Sequence, residues 1–81
     1  MKAKNESKEI VIKFSEEEAL VLLAWLQTFN EVEHPTLFQD QAEERILFDL
    51  ETELETVVSA TFSFNYQELL SKARAKIRDL E

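Results

Sequence analysis

The sequence predicts a mainly α domain, in which a short N-terminal β-strand leads into three helices packed as a small irregular bundle. Three observations predict it. The 81 residues include no glycine and one proline, which disfavours sandwiches, barrels and phosphate-binding loops, all of which use positive-φ positions. Good helix formers (Glu, Leu, Ala, Lys, Gln) dominate the composition. Three stretches repeat apolar residues at helical spacing behind polar capping residues.

Residues 1–8, MKAKNESK, are polar and charged. They are expected to form a disordered tail ahead of a single small domain over 9–81. Ile10, Ile12 and Phe14 alternate with Val11 and Lys13, a period of two in β-branched residues that predicts a strand. A lone strand leaves its backbone groups unpaired. Its expected partner is the same strand of a second chain across a two-fold axis, with ATFSF (60–64) as the rival within the chain.

Ser15 and Glu18 have the spacing of a capping box, and Glu16, Glu17 and Glu18 suit the positive end of a helix. The first helix is expected over about 16–31. Ala19, Val21, Leu22, Leu23, Trp25, Leu26 and Phe29 cover an arc of roughly 200°, against a usual stripe of about 100°. Leu20 falls outside even that arc. A helix this broadly apolar is either central in its domain or faces a second chain.

Pro35 disfavours helix at His34. Thr36 with Gln39, or Asp40 with Glu43, could cap the second helix, expected over about 40–60. Its stripe is Ala42, Ile46, Leu47, Leu50, Leu54, Val57, Val58 and Thr61. Phe48 points away from the stripe, among Glu44, Glu51, Thr52 and Glu55. Asn65 with Glu68 would cap the third helix, over about 66–79, with Phe64 and Leu69 as a hydrophobic staple. Tyr66, Leu70, Ala73, Ile77 and Leu80 form its seam. Its four bases are expected to face the acidic second helix.

The formal charge is −8. Between Ser15 and Glu68 there are thirteen acids and one base, Arg45. Such a body repels phosphate, so no nucleic-acid partner is expected. There is no cysteine, which excludes disulfides and thiolate metal sites. The longest apolar run, Ala19 to Leu26, has eight residues, far short of the ~20 that span a bilayer. Residues 1–9 are polar, so no signal peptide and no membrane association are expected, and a cytoplasmic setting is the expectation.

No reaction is legible. The one histidine has no serine beside it, and no cysteine is available as nucleophile. Glu31 and His34 have the E-x-x-H spacing of helical di-iron sites, but His34 precedes a proline and Glu31 lies off the apolar face. No catalytic, cofactor or metal residue is assigned. A strand followed by helices also invites comparison with ribbon-helix-helix DNA binders, against which the acidic body speaks. The expected function is that of a non-enzymatic interaction or regulatory protein, homodimeric, with an acidic surface suited to a basic protein partner. The alternatives are a ribbon-helix-helix-like DNA binder and a metal-binding helical dimer. Partner contacts are expected at Phe48, Leu20, Ile10 and Ile12.

The segments EALVLLAWL (18–26), QAEERILFDLE (41–51) and FNYQELL (64–70) resemble a family of short acidic bacterial proteins carrying the pattern EALVLFEWL, AEQRVLWDLE and PDYAELL. The resemblance spans about residues 10–78. Glu44 and Phe48 stand where that pattern has Gln and Trp. It implies a small bacterial protein and brings no activity, cofactor or site residue.

Overall fold

The structure, a computed structural model, describes residues 1–79. It is mainly α, with three helices and a two-stranded antiparallel sheet at the N-terminus. The elements are β1 (Lys2–Glu6), β2 (Glu9–Lys13), α1 (Glu16–Asn30), α2 (Gln41–Val57), a 3-10 turn (Ser59–Phe62) and α3 (Tyr66–Arg78).

The N-terminal segment is the first correction. Residues 1–8 are not a disordered tail: Lys2–Glu6 pair with Glu9–Lys13, with Ala3 opposite Ile12 and Asn5 opposite Ile10. The strand therefore finds its partner within the chain, and neither a second chain nor residues 60–64 is needed to pair it. Ser7 and Lys8 make the two-residue connection at φ 48° and 73°. Both values lie in the left-handed region, as in the primed turns that match strand twist. Neither residue is the Asn or Gly that region favours, and each costs about 1 kcal/mol there.

α1 begins where expected. Ser15 Oγ accepts from the Glu18 backbone N–H at 3.1 Å, and Glu18 Oε1 accepts from the Ser15 N–H at 2.9 Å. The Ser15 N–H, and next the Met1 amino group, hold the Glu18 carboxyl below its usual range. The breadth of the apolar arc has its reason in packing: α1 lies against both α2 and α3. Leu23 and Leu26 are fully buried, and each contributes about 1.5–3 kcal/mol of burial. Leu20, Ala24, Leu54, Val58, Leu70 and Ala73 complete the core.

Asp40, not Thr36, caps α2: its Oδ1 accepts from the Ala42 N–H at 2.8 Å, while Glu43 Oε1 accepts from the Gln39 N–H at 2.8 Å. The stripe of α2 is narrower than its spacing suggests. Leu54 and Val58 are buried and Leu47 and Leu50 half-buried, but Ala42, Ile46 and Val57 are exposed. α2 also stops at Val57 rather than 60. Val58 turns extended (φ −92°, ψ 99°) to keep its side chain in the core, and the chain tightens into the 3-10 turn.

The expected start of α3 is also corrected. Asn65 makes no side-chain cap bond, and Phe64 is fully exposed, so neither the capping box nor the staple forms. The Ser63 carbonyl accepts from the Tyr66 N–H at 3.2 Å instead. Lys76 pairs with Glu17 on α1, and Lys72 with Glu68 on its own helix at 3.1 Å. The bases of α3 that form these pairs therefore offset α1 and α3, not α2. Leu80 of the expected seam lies outside the described residues.

Candidate functional site

The loop between α1 and α2 folds back on the end of α1. Trp25 stacks on Phe29 with ring centroids 4.8 Å apart, and Phe29 stacks on His34 at 3.9 Å. Phe38 meets Phe29 and His34 edge-on at 5.9 and 6.0 Å. The His34 Nε2–H donates to the Phe29 carbonyl at 2.7 Å. The same carbonyl accepts from the Val32 N–H at 3.4 Å, so the imidazole adds a second donor at the end of α1. His34 is thus half-buried in an aromatic column, with Nε2 committed to the backbone. Among the described residues, no three His, Cys, Asp or Glu side chains are grouped to hold a metal ion.

Beside this column lies a cleft of about 600 Å³, whose walls include Phe29, His34, Phe38 and Phe48, with Glu31, Glu33 and Glu44. An adjoining hollow of about 460 Å³ is lined by Gln27, Asn30, Glu31, Phe48 and Glu51. The two share Asn30, Glu31 and Phe48, so they read as one groove between α1 and α2 with Phe48 at its middle. Neither lining includes a lysine or arginine.

The α2 wall follows from helix geometry. Glu44, Phe48 and Glu51 fall at i, i+4 and i+7, which is one face, and Glu55 continues that face beyond the lining residues. Asn30 Nδ2 donates to Glu51 Oε1 at 2.7 Å and to the Leu47 carbonyl at 3.4 Å, fixing Glu51 against α1. The Glu51 carboxyl beside it, then loss of solvent, raises the Glu55 carboxyl above its usual range, with Gln27 opposing. Two carboxylates one turn apart thus stand crowded. The negative end of α1 meets the same groove, and its last turn contains no base.

The expected contact residues separate. Phe48 is 42% exposed and central to the groove. Ile10 and Ile12 are 65% and 49% exposed on one face of the hairpin, and neither lines the groove. Leu20 is corrected: at 5% exposure it belongs to the core. The two flanking helices cover the Leu20 side of α1 and leave Trp25, 53% exposed, on the other. The aromatic column was not foreseen. Its signal is the spacing 25, 29, 34, 38, which straddles a helix end and so escapes a periodic reading.

No family model, curated protein or solved structure matches the chain.

Proposed function

We propose that the protein is a non-enzymatic interaction or regulatory protein, self-associating and cytoplasmic, whose Phe48 groove takes a basic segment of a protein. One observation carries the reading: an exposed aromatic ring sits in a groove whose charged lining residues are all acids. Crowded carboxylates at Glu51 and Glu55 gain from an incoming cation, and the ring gives its apolar stem a surface. An acidic groove repels phosphate, so the chemistry favours a basic protein over nucleic acid. The arrangement at His34 favours a structural over a metal-binding role, because Nε2 is bonded to the backbone.

The test is calorimetric titration at low salt with a short peptide alternating lysine and isoleucine, and with its glutamate-for-lysine counterpart. The lysine peptide is expected to bind, and Phe48→Ala to weaken it at least about tenfold. Circular dichroism would show that helicity is kept. Equal affinity of wild type and Phe48→Ala, or binding of the acidic peptide, would remove the groove from the reading.

A further inference from the structure

The hairpin is the part of the molecule that its own fold leaves unused. β1 and β2 contact each other, and neither packs extensively on a helix. A two-stranded hairpin alone in water is marginal at best, and this one has two open edges and positive φ at Ser7 and Lys8. Its Ile10–Ile12 face is apolar and uncovered. The hairpin also differs in charge from the rest. Residues 1–13 contain four lysines and two glutamates, a net of +2, which leaves −10 for the remainder of a chain of net −8.

We infer that the occupant of the Phe48 groove is the N-terminal hairpin of a second copy, exchanged reciprocally across a two-fold axis. The inference rests on the reading of that groove as a site for a basic segment, and it names the segment. Three quantities agree with it. The accessible surface is 6788 Å², whereas a folded monomer of 9.5 kDa exposes about 5,000 Å². The excess of about 1,700 Å² exceeds the ~800 Å² per partner that a standard stable interface buries. The radius of gyration is 14.3 Å, against about 12 Å for a compact chain of this length, so the chain is extended in a way that docking would use. The five-residue strands span about 17 Å, and the Glu44–Glu55 face of α2 spans about the same.

In the docked pair, the second copy's Ile10 and Ile12 lie over Phe48. Lys2, Lys4 and Lys13 stand on the other face of the ribbon, so they favour the docking through the field between a basic hairpin and an acidic groove and not through contacts in the apolar seam. The exchange is self-complementary, because each chain supplies one basic ribbon and one acidic groove.

Sedimentation of the full chain at tens of micromolar tests it, with two charge-reversed chains. One is Lys4→Glu with Lys13→Glu; the other is Glu44→Lys with Glu55→Lys. All four positions are exposed, and circular dichroism checks that each chain keeps its helicity. Wild type is expected to sediment as a dimer at low salt and to shift towards monomer at high salt. Each reversed chain is expected to be monomeric alone, and an equal mixture of the two to form a heterodimer. A wild type that is monomeric at low salt, or a dimer that withstands both reversals, overturns the proposal. A monomeric wild type that still binds the lysine–isoleucine peptide through Phe48 refutes the second copy as occupant while leaving the groove as a basic-segment site. The wild-type salt series stands even if a reversal costs helicity.

Discussion

In α1, Leu23 and Leu26 are fully buried, whereas in β2 Ile10 and Ile12 face solvent, although all four are aliphatic side chains in regular structure. The helical body is held by burial. Its core joins α1 to α2 and α3, and the charged pair Lys76–Glu17 adds a surface contact at one end. The hairpin is held by backbone pairing, and its base is tethered where the Met1 amino group meets Glu18 Oε2 at 3.0 Å. The body is acidic and the hairpin basic. Regular structure therefore has two sources in one short chain, and only one of them rests on a buried core.

The contrast can be broken most strongly from the body side. Leu23→Ala or Leu26→Ala removes a fully buried side chain and is expected to cost about 2–5 kcal/mol. Urea unfolding followed by helical circular dichroism measures it; a loss below about 1 kcal/mol would show that α1 is not the central element. Next is Ser15→Ala, which removes the α1 cap and is expected to cost about 1 kcal/mol in the same assay.

From the hairpin side, Lys8→Gly removes the side-chain penalty at φ 73°. It is expected to stabilise the β1–β2 pairing by about 1 kcal/mol. Amide exchange at the strands should slow while helical unfolding is unchanged. A shift of both together would mean that the hairpin and the body unfold as one unit.

The smallest effect is electrostatic. Lys76, through its hydrogen bond, is the first cause that holds the Glu17 carboxyl below its usual value. A depressed carboxylate contributes stability above its unfolded pKa and loses it as pH falls through the lowered folded value. Lys76→Ala should flatten that acid limb slightly. The Glu51–Glu55 pair has the opposite sign: the Glu55 carboxyl is raised, so its penalty is greatest when ionised and is relieved as pH falls through the raised folded value. Glu55→Gln should remove that relief. Thermal melts across the acidic range read both, and parallel curves for wild type and the variants would contradict the assignments.

Much of the body was legible. The limits of α1 follow from Ser15, Glu18 and a run of apolar residues, and Phe48 stood out because it interrupts a polar face. Two things were not legible, for physical reasons. KAKNE has no β-branched alternation, and Ser7–Lys8 lacks the Asn–Gly signature, so β1 and its turn leave no local mark and are specified by pairing with β2. The side of α1 that faces the core depends on where α2 and α3 sit. An apolar arc this wide leaves that choice open, and Leu20 and Trp25 exchanged roles as a result. The third helix shows the same limit: Asn65 and Glu68 have capping spacing, but the 3-10 turn before them sets a backbone in which the cap does not form.

The proposed exchange requires that the hairpin lack support in its own protomer and gain it from a second copy. Amide hydrogen exchange of residues 2–13, measured on the wild type at millimolar and at sub-micromolar concentration, tests it most directly. The expected result is strand protection that falls on dilution while protection in the core of α1 persists. Strand protection independent of concentration would contradict the claim, because the hairpin would then be stable on the protomer that carries it.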